Sequence, residues 1–172
     1  MKLLSHLSTH GDAPPEPADS KRLALGFEAW HEALVLAQDD SAVKAAKQWS
    51  GTAGGQRLLA AIFGNSPFLS GVAVKEWAFL TCLVEQGADP VFAEIAAAVE
   101  NPEDPGEDTA GLMRRLRIAK RRTALLAAAA ELVGAWSLDD QMRALSRFAE
   151  AALGAAVRHL LRQAAGRAGK KL

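Results

Sequence analysis

The chain has 172 residues, 20 basic against 20 acidic, and a formal net charge of zero. That balance excludes a global electrostatic attraction to nucleic acid or an anionic membrane, so any such role must rest on a local patch. No stretch reaches the roughly 20 apolar residues of a membrane span, and "MKLLSHLSTH" has no apolar run long enough for a signal peptide.

The 49% hydrophobic content is largely alanine, aromatic residues make up only 6%, and there is no tyrosine. Alanine loses no side-chain entropy in a helix, and runs of strand formers are absent. The expected fold is all-α: a multi-helix bundle ending in a long antiparallel helical hairpin. Residues 1–20 hold "GDAPPEPADS", with three of the seven prolines, and predict a flexible N-terminal lead-in. Residues 21–165 read as one helical domain, and the Gly-rich basic tail 166–172 as a linker. The single cysteine, Cys82, has no partner for an internal disulfide and predicts a reducing compartment, the cytoplasm.

In chain order, Leu23, Phe27, Trp30, Leu34 and Ala37 recur every three or four residues and predict the first helix. A shorter one follows over "SAVKAAKQW", with Ser41 as its expected cap. The stretch "LAAIFGNSPFLSG" (59–71) then raises a choice between a phosphate loop and a corner. Phosphate loops need several glycines with converging N–H groups, usually after a strand. Here a single glycine, Gly64, suits a helix C-terminus, Ser66 suits an N-cap and Pro67 a first helical position, so a corner is expected. One long helix is expected over 68–86, ended by Gly87, and another opened by Asp89-Pro90. After the loop "NPEDPGED", two long helices are expected at about 108–133 and 138–165. In the first, Leu112, Leu116, Ala119, Thr123, Leu126 and Ala130 form a stripe. In the second, Leu138, Met142, Leu145, Ala149, Ala152, Ala156 and Leu160 do. Packed together, these stripes make the hairpin. Any part of a stripe left exposed is expected to promote self-association.

Chemistry-bearing clusters are few. "MRRLRIAKRR" (113–122) is the one concentrated charge run. It reads either as a solvated helix face or as a grip on phosphate or on acidic groups of a partner, the candidates being Arg115, Arg117, Arg121 and Arg122. It lacks the aromatic interleaving of a nucleic-acid surface. Asp39-Asp40 and Asp139-Asp140 sit at helix starts, where acids complement the dipole, and Asp139 is spaced to pair with Arg143. Of the four histidines only His6 and His10 have ligand spacing, too few for a zinc site. His31 is expected half-buried and His159 on the surface. The four tryptophans read as core fillers. From the residues alone, no catalytic, cofactor or metal residue is assignable.

The segment "LLAAIFGNSPFLSGVAVKEWAFL", followed by "LMRRLRIAKRRTALLAAAAELVGAWSLDDQMRALSRFAEAALGAAVRHLLR", resembles the N-terminal region of the bifunctional glutamine synthetase adenylyltransferase/adenylyl-removing enzymes. The Phe63–Leu69 corner and the basic run with the following Leu-Ser-x-x-Ala-Glu-Ala-Ala-Leu pattern carry the resemblance, over about residues 55–165. It implies nucleotidyl transfer in nitrogen regulation, with glutamine synthetase and a PII-type signalling protein as partners and with magnesium and ATP as requirements of the full-length enzymes. In those enzymes a Gly-Ser motif precedes an Asp-x-Asp pair that binds magnesium. This sequence contains neither. The resemblance therefore implies an inactive helical fragment, with Arg115, Arg117, Arg121 and Arg122 facing an absent catalytic domain or its nucleotide. The alternative is a stand-alone interaction module that binds glutamine synthetase or a PII-type regulator.

Overall fold

The computed structural model describes residues 1–8, 14–101, 106–167 and 169. Among them lie a short 3-10 helix, Leu3–Ser8, and eight α-helices, with no strand. These are α1 (Ser20–Leu36), α2 (Asp40–Ser50), α3 (Ala53–Asn65), α4 (Pro67–Lys75), α5 (Trp77–Gln86), α6 (Ala88–Glu100), α7 (Thr109–Leu132) and α8 (Leu138–Arg167). The all-α expectation holds.

The first half wraps a core seeded by aromatic pairs. Trp30 of α1 meets Trp49 of α2 edge-on, with centroids 5.4 Å apart. Trp49 also donates its indole N–H to Thr81 Oγ1 at 3.1 Å, which ties α2 to α5. The α1 stripe points inward as its spacing predicts, with Trp30 and Leu34 buried. His31, on the other side of α1, is exposed rather than half-buried. Helix α2 starts two residues earlier than expected, because Asp39, not Ser41, caps it by accepting from Ala42 N–H at 3.0 Å.

The Gly-Asn-Ser-Pro knot is a corner. Ser66 Oγ accepts from Leu69 N–H at 3.2 Å, and Pro67 occupies the first turn of α4. Gly64, however, does not end its helix: α3 runs on to Asn65. Glycine is needed there for contact, since a Cβ at Gly64 would lie 2.4 Å from Pro17 Cβ. Asn65 completes the clasp. Its amide accepts from Ala18 N–H at 3.1 Å and donates to Glu16 C=O at 3.2 Å. The residues just before α1 are thus strapped across the corner. At the N-terminus, Leu3 and Leu4 of the 3-10 helix are buried against the core. Both segments differ from a loose lead-in. Proline content predicts an extended chain, and an extended chain still packs where a small residue such as Gly64 leaves room.

The single helix expected over 68–86 is two helices, α4 and α5, bent by 88°. No glycine or proline marks the break. It falls at Glu76, whose φ of −107° and ψ of 33° leave the helical region. A long-range ion cluster described below holds that residue. Gly87, with φ 93°, ends α5 as expected. Helix α6 starts at Ala88, so Asp89 is inside its first turn and not its cap. Asp89 instead accepts from the Trp136 indole N–H at 2.8 Å.

Helices α7 and α8 form the expected antiparallel hairpin. Gly134 (φ 71°) closes α7 with paired bonds, Gly134 N–H to Glu131 C=O at 2.9 Å and Ala135 N–H to Ala130 C=O at 2.8 Å. Ser137 and Asp140 then cap α8 reciprocally. Asp140 N–H reaches Ser137 Oγ at 3.2 Å, and Ser137 N–H reaches Asp140 Oδ2 at 3.0 Å. At the far end Thr109 Oγ1 lies 3.0 Å from His159 Nε2 and accepts from Gln163 Nε2 at 2.8 Å. His159 is therefore buried, not on the surface.

Candidate interaction site on the arginine helix

The basic run lies on α7, one helical turn after its start. Asp108 caps the helix by accepting from Gly111 N–H at 2.7 Å. Successive helical residues point about 100° apart, so the run distributes its cations around the helix. The structure sorts them into two groups.

Three are engaged inside the fold. Arg115 donates to Glu107 through Nε at 3.1 Å and to the Ala98 and Val99 carbonyls through one terminal nitrogen, both at 2.9 Å. Those carbonyls belong to the last turn of α6, where helical partners run out. Arg115 thereby satisfies the end of one helix from the side of another. Arg121 and Arg122 both grip Glu76. Arg121 bonds to Oε1, and Arg122 Nε donates to Oε2 at 2.6 Å. The Arg122 guanidinium also lies 5.2 Å from the Phe79 ring centroid. Glu76 is only 6% exposed. Taking one carboxylate out of water is costly, and two guanidinium groups on its two oxygens offset that cost. This cluster fixes the bend between α4 and α5.

The second group faces solvent. Arg114, Arg117 and Lys120 are exposed, and no side-chain partner is found for them among the described residues. Arg117 is thus the one of the four candidates with a free head group. Beside these cations, α6 and α7 enclose a groove of about 440 Å³. Its floor includes Ile95, Val99 and Ile118, and Arg114, Arg115 and Arg122 stand at its edge. An apolar floor with a cationic edge suits a surface that carries both apolar and acidic groups.

Glu76 lies 45 and 46 residues from its arginines, whereas Glu107 stands eight residues before Arg115, just ahead of the α7 cap. One local feature points to Glu76: it is the one acid in the run "GVAVKEWAFL", apolar but for it and Lys75. An acid in such a place needs a buried counter-charge.

Other acids act at helix starts. Asp39 caps α2. Arg143 does not pair with the Asp139 carboxylate as its spacing suggests. It donates to Asp140 Oδ1 at 2.9 Å and to the Asp139 backbone carbonyl at 3.3 Å. Bonds from Ser137 hold the Asp140 carboxyl below its ordinary pKa, with a smaller contribution from Arg143. Burial pushes the Cys82 thiol up, and Glu94 and Glu85 add to that. Among the described residues no three His, Cys, Asp or Glu side chains converge on a point where a metal ion would sit. His10 lies outside the described residues. Among the described residues no single helix is long and apolar enough to cross a membrane.

Comparison with known proteins places most of the chain in one family. The family model described as glutamate-ammonia ligase adenylyltransferase matches residues 56–172. The chain is 34% identical over 142 residues to the bifunctional glutamine synthetase adenylyltransferase/adenylyl-removing enzyme of Mesorhizobium japonicum, a match covering 82% of this chain and 14% of that protein. Enzymes of the same description from Agrobacterium fabrum (36% identity, 60% of this chain, 11% of the relative) and Caulobacter vibrioides (38%, 63% and 11%) are also similar. The chain thus spans only about an eighth of the length of the curated relatives that it matches. No solved structure matches it.

Proposed function

This chain belongs to the glutamate-ammonia ligase adenylyltransferase family, and we propose that it is the helical portion that supports a nucleotidyl-transfer centre lying outside it. Its relatives are named for adding AMP to glutamine synthetase and removing it. On this reading the chain takes part in that regulation but performs neither reaction alone. The observation that carries the reading is the combination of a family match over residues 56–172 with the absence of any Asp-x-Asp pair. Nucleotidyl transfer proceeds by placing metal ions and cations against phosphate oxygens. Paired carboxylates hold the metals, and this chain has no Asp-x-Asp pair to do so.

What its residues do supply is a rigid basic helix. Arg115, Arg121 and Arg122 brace α7 against α4, α5 and α6. That bracing holds Arg117, together with Arg114 and Lys120, in a fixed array toward solvent. The array is the contact for an acidic surface of the catalytic domain or for its nucleotide. Magnesium and ATP are then requirements of the longer enzyme and not ligands of this chain. Glutamine synthetase and a PII-type regulator are its partners through that enzyme, and the setting is the cytoplasm.

The test is an assay of the purified chain on adenylylated and unmodified glutamine synthetase, with magnesium, phosphate and ATP present. No release or incorporation of AMP is expected. Turnover above that of a mock preparation, abolished by chelator, would overturn the reading.

The free cations favour a second reading, an interaction module that binds glutamine synthetase or a PII-type protein directly. In that case the isolated chain would bind one of them with a salt-sensitive affinity, and Arg114→Ala with Arg117→Ala would weaken it. The supporting-domain reading expects no such binding by the chain alone.

A further inference from the structure

Helix α8 is amphipathic twice over. Its inner face is built from Ala144, Phe148, Ala151, Ala155 and His159, which pack on α6 and α7. A second apolar stripe runs down the opposite side and is open to solvent. Leu138 is 70% exposed, Leu153 67%, Leu160 63%, Met142 58% and Leu145 44%. Val157 and Leu161, at 46% and 56%, widen its far end. Leu138, Met142, Leu145 and Leu160 of this outer stripe are residues that the sequence periodicity assigns to the inside of the hairpin; Leu153 is not among them, and Ala152, which is, does pack against the core.

The stripe is symmetric along the helix. Ala149 is its midpoint. Leu145 and Leu153 stand four residues to either side, Met142 and Ala156 seven, Leu138 and Leu160 eleven. A two-fold axis requires a surface that is complementary to its own image. Set antiparallel about Ala149, two copies of this stripe bring Leu138 against Leu160, Met142 against Ala156, Leu145 against Leu153, and Ala149 against itself. Long side chains meet short ones at the Met–Ala level. Alanine at the centre lets the backbones approach closely. A parallel pairing would instead set Met142 against Met142 and Ala156 against Ala156, a crowded level and a void in place of two levels that match long with short. It would also align the two helix dipoles.

We propose that the outer face of α8 is a self-association surface, and that its occupant is α8 of a second copy of this chain, antiparallel and centred on Ala149. The size agrees. The stripe from Leu138 to Leu160 is about 33 Å long at 1.5 Å per residue. Burying its exposed side chains removes roughly 500–600 Å² per copy, taking the area per residue that transfer energies imply. The pair then buries on the order of 1,000–1,200 Å², at the lower edge of specific interfaces, and self-association is weak to moderate. One edge of the stripe carries Asp139, Arg143 and Glu150, so the partner meets no block of like charge. The proposal is independent of which enzyme or partner the arginine helix serves.

The test uses the full chain. Sedimentation equilibrium from about 1 to 500 μM, a range set by the affinity of interfaces this small, is expected to show the mass rising from 18.2 kDa toward twice that value. Leu145→Glu with Leu153→Glu is expected to hold it at 18.2 kDa while the helical circular dichroism is unchanged. Should that variant unfold, single cysteines placed in a Cys82→Ala background give a second readout. Ala149→Cys, on the axis, is expected to form a disulfide-linked dimer. Met142→Cys and Ala156→Cys are expected to do so only when mixed with each other, at several-fold the yield of either alone. A monomer across the whole range, as expected if the face is kept for a different protein, overturns the proposal. So does a dimer that persists in the double-Glu variant, or equal cross-linking of Met142→Cys by itself.

Discussion

The two arms of the hairpin look alike in sequence and end up in different surroundings. Both α7 and α8 repeat Leu and Ala at intervals of three and four. In α7 the stripe is buried as written: Leu112, Ala119, Thr123, Leu126 and Ala130 all face the core. Of the second line, Leu125 is fully buried, while Ile118 is half-buried on the floor of the groove beside α6. In α8 the corresponding stripe faces solvent, and a line of alanines with Phe148 and His159 takes the inside. Total apolar content does not decide which face turns inward. In α8 the face that meets α6 and α7 is built mainly of alanines, which allow close approach, and the bulkier leucines are left outside.

The largest expected effect lies at the charged anchor of α7. Glu76→Gln removes the charge that offsets two buried-side guanidiniums, and losing one member of a buried ion cluster costs about 3–5 kcal/mol. Urea denaturation at constant slope would read it directly. A loss under 1 kcal/mol would mean that the bend at residue 76 does not depend on the cluster. Next comes Leu126→Ala. It deletes methyl groups from a fully buried position and should cost about 2–5 kcal/mol. The matching change on the other arm, Leu153→Ala, stands at the bottom of the scale.

Much of the fold was legible because it rests on local rules. Helix periodicity located α1, α7 and α8, and Ser66-Pro67, Gly87 and Ser137 punctuated the chain where the structure breaks it. The bend at Glu76 was not legible, since its cause is Arg121 and Arg122, 45 and 46 residues away. His159 was misplaced for a similar reason: its burial depends on Thr109, brought to it only by the closed hairpin. Of the four candidate arginines, sequence marked the helix correctly. It did not separate the three that brace the fold from Arg117: the partner of Arg121 and Arg122 is distant in sequence, and the carbonyls that Arg115 also grips, on α6, are brought to it only by the fold. The outer stripe of α8 was seen and put on the wrong side, which is the ambiguity that two apolar faces create.

Smaller effects sharpen the comparison at the helix starts. Ser137→Ala removes the reciprocal cap of α8 and is expected to cost about 1 kcal/mol, against nearly nothing for Ser146→Ala on the exposed side of the same helix. The cap also predicts a pH dependence. The folded carboxyls of Asp140 and Asp19 lie below their ordinary value of 3.8, Asp19 chiefly through the Arg22 backbone N–H. A depressed folded pKa stabilises the folded state above the unfolded pKa. That contribution fades as pH falls through the folded pKa, so stability should decline below about pH 4. Asp140→Asn should flatten this acid limb relative to the parent chain, as thermal melts between pH 2 and 6 would show.

The smallest change in monomer stability is expected from Leu153→Ala. Its parent side chain is 67% exposed, so truncation removes little buried area, and surface substitutions of this kind usually fall within about 0.5 kcal/mol. Measured in dilute solution, the variant should unfold at the same urea concentration as the parent. Measured at high concentration, the two should separate, because linkage to association stabilises only the chain that associates. The pair of Leu→Ala changes then places a number on each arm: large and concentration-independent for Leu126, negligible when dilute but growing with concentration for Leu153. If Leu153→Ala instead costs as much as Leu126→Ala in dilute solution, the outer face of α8 is already covered within a single chain, and the difference between the two arms disappears.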